Sequence, residues 1–260
     1  MHALWNVLLA RARDPEAATA VALLVAIVAF APVAAATWNV HAAVWPFLLA
    51  SGAFELAYFI LLAAAYRRAP LSVVYPLARG TAPVLVLVIG VAVLGKGTSW
   101  GQAGGVCLVG AGVLLVRGLA RAANATGVAF GLAIACCIAA YTLIDKYGIR
   151  HAGPIPYLEL SMIGPSVLYA GGIARIKGVP AVRAAFRPAN IVAGLATFGA
   201  YALVLAALKR ASAASVAAVR ETSVVLTAVL AGAVLRERVG PGRLAGAALV
   251  AGGIALLSLT

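Results

Sequence analysis

The chain has 260 residues, of which 64% are hydrophobic and 10% are charged, and its mean hydropathy is +1.06. Soluble domains are roughly 45–50% apolar and about 25% charged, so this composition excludes a soluble globular protein and indicates an integral membrane protein. The net charge of +13 comes from Lys and Arg residues scattered through short loops, which favours an anionic membrane surface over nucleic acid as the partner.

Nine segments are long and apolar enough to cross the hydrocarbon core, which needs about 20 residues of helix. Helices are expected because a backbone in lipid must satisfy its own hydrogen bonds. The predicted spans are 17–36, 43–66, 71–94, 100–117, 126–146, 156–174, 189–208, 212–235 and 243–259. Residues 1–10 are interpreted as the last half of a tenth helix, so we expect the first helix to be truncated.

An internal repeat organises these spans. Residues 79–115 reappear as residues 220–256, with 14 of the 37 aligned positions identical. Because each copy contains an odd number of helices, the second copy is expected to insert upside down. The sequence therefore predicts an all-α, ten-helix membrane bundle built from an inverted five-plus-five repeat. The predicted repeats are residues 1–120 and 121–260.

Charged residues inside the predicted spans are candidates for a site, because a charge at a helix centre costs about 2.5–3.5 kcal/mol on insertion scales. They are Glu55, Arg79, Glu159, Arg220 and Glu221. Arg79 and Arg220 occupy equivalent positions in the repeat and are predicted to anchor an anionic group. Glu55 or Glu221 is then a proton carrier or an amine ligand. The alternative is a set of structural ion pairs, with Glu55 bound to Arg79.

Tyrosine side chains extend this candidate site. Tyr58 follows Glu55 by about one turn, Tyr75 precedes Arg79 by one turn, and Tyr201 lies in a further span. Aromatic packing is the alternative interpretation of each tyrosine. The predicted substrate-binding residues are Glu55, Tyr58, Tyr75, Arg79, Tyr201, Arg220 and Glu221.

Proline and glycine residues predict features of helix shape and packing. Pro76 and Pro83 flank Arg79 and are expected to bend that helix. GxxxG pairs in residues 101–105 and 242–246 occupy equivalent places in the two repeats. Such pairs allow close approach between helices, so they predict either packing inside the bundle or a dimer face.

The distribution of Lys and Arg between alternate loops predicts the orientation in the membrane. Loops on one side carry 13 of these residues and loops on the opposite side carry 5. Because Lys and Arg are enriched in the cytoplasmic loops of membrane proteins, this count predicts that both termini lie outside the cytoplasm.

No catalytic, cofactor-binding or metal-binding residues are predicted. His2, His41 and His151 are scattered, and a nucleotide-binding motif is absent from the sequence. The three cysteines lie in apolar runs without metal-ligand spacing and are interpreted as packing residues.

Four local patterns resemble the EamA-type branch of the drug/metabolite transporter superfamily. They are residues 2–6, 75–83, 140–148 and 220–239, and their order and spacing extend over nearly the whole chain. The resemblance implies a ten-helix inverted-repeat carrier in the bacterial cytoplasmic membrane, often an exporter. It also implies that both termini lie in the cytoplasm, against the charge count. The first repeat departs from the pattern at residues 94–97, which lack the acidic residue present at Glu237.

The predicted function is secondary transport of small metabolites by alternating access, with export of amino-acid-like or other small polar or amphiphilic compounds. Lipid, a small-molecule substrate, a coupled proton and a second copy in a homodimer are the expected partners. Two alternatives remain open from the residues: a non-transporting membrane partner or sensor, and a membrane enzyme acting on lipid-linked substrates.

Overall fold

A computed structural model describes residues 14–69, 71–117, 125–222 and 241–259. Within these ranges the chain is helical and contains no β-strand. The α-helices are α1 Pro15–Ala36, α2 Trp45–Arg68, α3 Leu71–Ala92, α4 Trp100–Arg117, α5 Ala125–Gly148, α6 Pro154–Lys177, α7 Val179–Ala184, α8 Pro188–Leu208, α9 Ala213–Arg220 and α10 Pro241–Ser258. Short 3₁₀ helices at Ala42–Val44 and Ile149–His151 precede α2 and follow α5.

The predicted all-α membrane fold is confirmed. Eight of the nine predicted spans coincide with α1 to α6, α8 and α10, and the remaining span, 212–235, begins as α9. The remainder of that span, the predicted half-helix at residues 1–10 and most of the boundary between the predicted repeats lie outside the described residues. Five described helices are long and apolar enough to cross a membrane: Pro15–Ala36, Ala42–Ala65, Val73–Ala92, Ala125–His151 and Pro188–Leu208.

The chain forms two compact units, and each unit contains residues from both predicted repeats. Unit 1 comprises Met1–Ile60 and Ile144–Arg210, and unit 2 comprises Leu61–Leu143 and Ala211–Thr260. The division falls within α2 and α5.

In unit 1, α1 begins after Asp14, whose side chain accepts hydrogen bonds from the backbone N–H groups of Glu16 and Ala17. Lys177, the last residue of α6, lies 2.7 Å from Asp14 Oδ1 and 2.5 Å from Glu16 Oε2. The start of α1 therefore meets the end of α6, and these two helices run antiparallel.

In unit 2, α4 and α10 pack closely through glycine. A Cβ built on Gly105 would lie 2.9 Å from the Gly253 carbonyl oxygen, and one on Gly112 would lie 2.7 Å from that of Gly246. Gly246 and Gly253 are the residues equivalent to Gly105 and Gly112, 141 positions later, so each of the two contacts is the repeat equivalent of the other. Helices α4 and α10 are therefore antiparallel and related by a local two-fold axis. The predicted packing of Gly105 and Gly246 is thus observed, whereas a Cβ on Gly242 would meet no atom within 4 Å.

The start of α9 in unit 2 is fixed by polar contacts. Gln102 Nε2, near the start of α4, donates hydrogen bonds to Ser212 Oγ at 2.6 Å and to Ser215 Oγ at 2.9 Å. Helix α9 therefore begins at the end of unit 2 where α3 finishes, so α3 and α9 run in opposite directions. Opposite directions are expected for equivalent helices of an inverted repeat.

Candidate functional site

The Glu221 cluster of unit 2 consists of Tyr75, Arg79, Arg220 and Glu221. Tyr75 and Arg79 are one turn apart on α3, and the Arg79 guanidinium lies 5.7 Å from the centre of the Tyr75 ring. Helix α9 ends at Arg220, and the Glu221 N–H donates to the Ala218 carbonyl in a tightened last turn. This ending brings Glu221 Oε1 to 3.2 Å from Arg79 Nη1 and to 3.7 Å from Arg220 Nε.

The charges of the Glu221 cluster are buried. The exposed fraction of the side chain is 11% for Arg79, 5% for Arg220 and 0% for Glu221. Each guanidinium group presents a planar fork of N–H donors, which matches the geometry of a carboxylate or phosphate. The residue types of the cluster therefore have the chemistry to recognise an anionic group.

The Asp145 cluster of unit 1 consists of Ser51, Glu55, Asp145, Tyr157 and Tyr201. Asp145 Oδ1 accepts hydrogen bonds from Ser51 Oγ at 2.6 Å and from Tyr157 Oη at 2.9 Å, and Oδ2 accepts from Tyr201 Oη at 2.5 Å. Helices α2, α5, α6 and α8 each supply a side chain. Three hydroxyl donors thus surround one buried carboxylate.

Glycine makes room for the hydroxyl of Tyr157. A Cβ on Gly148, three residues after Asp145, would lie 2.6 Å from Tyr157 Oη and 2.6 Å from the Phe47 Cβ. Any larger residue at this position would therefore displace Tyr157 from Asp145. Glycine at position 148 therefore permits the hydrogen bond between Tyr157 and Asp145.

Glu55 is the second carboxyl group of the Asp145 cluster. It follows Ser51 by one turn of α2, is 5% exposed, and interacts electrostatically with Asp145. Its Oε2 atom is buried and has no hydrogen-bond partner among the described residues. A buried carboxyl oxygen without a donor is an unusual and unfavourable arrangement for an ionised group.

The structure divides the predicted substrate-binding residues between the two units. Tyr75, Arg79, Arg220 and Glu221 come together in unit 2, whereas Glu55 and Tyr201 come together in unit 1. Tyr58, also in unit 1, packs its ring against Phe59 with centroids 5.1 Å apart. Glu221 pairs with Arg79. Glu55 and Arg79 belong to different units, and a pair between them stays a prediction.

Three residues of the Asp145 cluster were not predicted from the sequence: Ser51, Asp145 and Tyr157. Asp145 stands beside Lys146 near the end of the predicted span 126–146, where a charged pair is expected at the membrane surface. In the structure Lys146 Nζ donates to the Leu208 carbonyl at 2.6 Å, whereas Asp145 accepts from Ser51, Tyr157 and Tyr201. The one-turn spacing of Ser51 and Glu55 is the sequence signal that points to a polar face on α2.

A third buried carboxyl group, Glu159, stands apart from both clusters in its contacts. It is 5% exposed, and neither carboxyl oxygen has a hydrogen-bond partner among the described residues. Within the described ranges, no group of three His, Cys, Asp or Glu side chains is arranged to hold a metal ion.

The sequence matches the EamA-like transporter family over residues 1–118 and 125–259. A crystal structure that shares 17% sequence identity superposes with a TM-score of 0.78, covering 98% of this chain and 94% of its own. At this identity the likeness concerns the fold alone. No curated protein matches the sequence. Since the family match extends over nearly all residues, the chain belongs to the EamA-like transporter family.

Proposed function

We propose that this chain is a secondary transporter that exports small amino-acid-like or other small polar or amphiphilic compounds across the bacterial cytoplasmic membrane. Members of the EamA-like family are transporters rather than enzymes, and this chain is a multi-pass membrane protein. The proposal adds the class of substrate, the direction, the membrane and the residues that bind.

The buried Glu221 cluster carries the proposal. Arg79 and Arg220 come from equivalent positions of the two repeats and share Glu221 Oε1. Their guanidinium groups bind the anionic group of the substrate, and Tyr75 lies against Arg79 as an aromatic surface. An amino-acid-like compound, which carries a carboxylate, has the required chemistry.

The two repeats alternate access to the bound substrate, as inverted repeats do in other carriers. Transport is driven by a proton gradient through Glu55 or Glu221, and Tyr58 and Tyr201 belong to the substrate path. A homodimer would use a surface other than Gly105 and Gly246, because these glycines pack within unit 2.

Arg79→Lys tests the anion site in cells that produce the full chain. Metabolites released into the medium are compared, without preselection, between cells with and without the protein. Lysine keeps the charge and loses the planar fork of donors. Hydrogen bonds to charged groups contribute roughly 1.5–3 kcal/mol. We therefore expect the release of the exported compound to fall about tenfold or more where its concentration in the cell is below half-saturation.

The matched control is Arg183→Ala, which removes an exposed arginine on α7 and should leave export unchanged. The amount of each variant in the membrane is measured in parallel, so that reduced insertion is separated from reduced affinity. Full export by a normally inserted Arg79→Lys variant would exclude Arg79 as the substrate anchor.

A further inference from the structure

Glu55 and Asp145 form a pair of buried carboxyl groups on neighbouring helices of unit 1. They are 5% and 1% exposed and interact electrostatically. Two adjacent carboxylates repel each other, and withdrawal from water adds a further penalty for each negative charge. A positive charge or a proton is therefore required within the Asp145 cluster.

The surroundings of the two carboxyl groups differ. Asp145 accepts hydrogen bonds from Ser51, Tyr157 and Tyr201, and such donors favour the ionised carboxylate. Glu55 Oε2 has no donor among the described residues. The asymmetry makes Asp145 the stable anion and leaves Glu55 as the group that takes up a proton.

The titratable groups that interact electrostatically with Glu55 come from two further helices: α5 contributes Asp145 and α6 contributes Tyr157. Tyr201 of α8 donates to Asp145. Lys146, which follows Asp145 in α5, donates to the Leu208 carbonyl. Among the described ion pairs, none includes Glu55. A proton is therefore the counter-charge that best fits the oxygen-rich pair.

We propose that Glu55 and Asp145 together bind one exchangeable proton, held on Glu55 Oε2, and that this pair is the proton-coupling site of the carrier. The chemical step is reversible proton transfer from hydronium to the Glu55 carboxylate: one O–H bond of hydronium breaks, an O–H bond forms on Glu55 Oε2, and water is released. The inference rests on the proposed function, because coupling requires transport. It selects Glu55 over Glu221.

Glu221 has the opposite environment. Its Oε1 atom is paired with Arg79 and Arg220, two permanent cations. Protonation of Glu221 would leave both guanidinium groups buried beside a neutral acid. Glu221 therefore serves as a fixed anion in unit 2, while the exchangeable proton belongs to unit 1.

Infrared spectroscopy of the purified full chain in lipid tests this site without any substrate. A protonated buried carboxyl group gives a C=O stretching band separate from that of a carboxylate. Carbon-13 labelling of all Glu or all Asp residues identifies which residue type carries it. The chain has seven Asp and Glu residues, of which Asp14 and Asp145 are the aspartates.

We expect a pH-sensitive band that shifts with labelled Glu and is lost in Glu55→Gln. Asp145→Asn should change its frequency, because the neighbouring charge disappears. Glu159→Gln is the matched control, since it removes another buried glutamate of the same unit and should leave this band in place. In Glu55→Asp the band should move to the Asp-labelled sample, which covers the case that the glutamine variant does not fold.

Two results would overturn the proposal. One is a Glu55→Gln protein that retains every protonated-carboxyl band. The other is loss of the Glu55 band at constant pH when sodium chloride replaces choline chloride, which would make the pair a sodium site. Because these measurements need no transport, their failure is distinguishable from unaltered export by Arg79→Lys, which concerns the anion site alone.

Discussion

Asp14 combines two roles at the start of α1. It caps the helix and accepts a hydrogen bond from Lys177 Nζ at 2.7 Å. Burial alone would raise the pKa of Asp14, but the hydrogen bond and charge of Lys177, with the capping N–H groups, bring this pKa below its usual 3.8. Burial lowers and the two carboxylates raise the pKa of Lys177, and the net direction is upward from 10.5.

The direction of each pKa defines the pH range of this contact. The contribution of Asp14 to stability is complete above 3.8 and is lost as the pH falls through its lower folded-state pKa. The contribution of Lys177 is complete below 10.5 and is lost as the pH rises through its higher folded-state pKa. The contact between α1 and α6 is thus insensitive to pH across the physiological range.

Lys177→Met should raise the pKa of Asp14, because burial still acts on the carboxyl group while the lysine hydrogen bond and charge are gone. Carboxyl carbon NMR of Asp-labelled protein measures this pKa, and the two aspartates keep the spectrum simple. Arg175→Met, which removes an exposed cation two residues earlier, should leave the Asp14 titration unchanged. An unaltered Asp14 titration in Lys177→Met would show that capping alone sets its pKa.

The sequence predicted five of the buried charged residues, but it missed Asp145 and did not predict which groups pair. Hydropathy identifies Arg79 and Glu221 as anomalies within apolar spans, and the repeat marks Arg79 and Arg220 as equivalents. Which charges pair depends on how each helix is rotated about its axis and on which helices are neighbours. The Arg79–Glu221 contact is therefore evident only in the structure. Asp145 was missed because its neighbour Lys146 resembled an interfacial partner.

Hydropathy alone predicted the helices, because an apolar segment in lipid must satisfy its own backbone hydrogen bonds and therefore folds as a helix. The packing between helices was predicted less well. The GxxxG spacing at residues 242–246 indicated contact at Gly242, whereas the structure uses Gly246 and Gly253, two turns apart, against Gly112 and Gly105. Where two antiparallel helices stay in close contact over two turns, the points of close approach lie seven residues apart, and glycines occupy these positions.

Gly252 and Gly253 are adjacent in α10 but differ in their surroundings. A Cβ on Gly253 would lie 2.7 Å from the Gly105 carbonyl oxygen and 2.8 Å from a Val109 methyl group, whereas one on Gly252 would meet no atom within 4 Å. Gly253→Ala should therefore lower the stability of the bundle by about 1–3 kcal/mol, the usual range for overpacking.

Gly252→Ala is the internal comparison and should be neutral or slightly stabilising, by roughly 0.5–1 kcal/mol, because alanine favours helix over glycine. Thermal unfolding of both variants in the same detergent measures the difference. Equal melting temperatures would contradict the close contact between α4 and α10.

At the scale of the whole molecule, the compact units and the predicted repeats divide the chain differently. Each unit contains residues from 1–120 and from 121–260, and the Leu61–Leu143 segment of unit 2 crosses the boundary between the repeats. The repeat could be predicted because duplication leaves similar residues at equivalent positions of the sequence. The compact units could not be predicted, because they depend on which helices pack together in three dimensions. In unit 2 the result is a set of equivalent helices, α3 with α9 and α4 with α10, that run in opposite directions.

This inversion fixes which loops share a side of the membrane. Arg68, before α3, and Ala211, before α9, are both exposed and precede equivalent helices. Gly97, in the loop after α3, lies on the Ala211 side if α3 and α9 are inverted. Since the loop at Arg68 belongs to the more positive side, we predict that Arg68 is cytoplasmic and that Ala211 and Gly97 are external.

Single cysteines at Arg68, Ala211 and Gly97, introduced after the three native cysteines are replaced, test this arrangement with a membrane-impermeant maleimide. In intact cells Ala211→Cys and Gly97→Cys should react, and Arg68→Cys should react only after the membrane is opened. Gly97 is the control for Ala211, because inversion requires the two to behave alike. Reaction of Arg68→Cys and Ala211→Cys from one side would contradict the inverted repeat. The reverse pattern, with Arg68 external, would keep the inversion and refute the orientation predicted from positive charge.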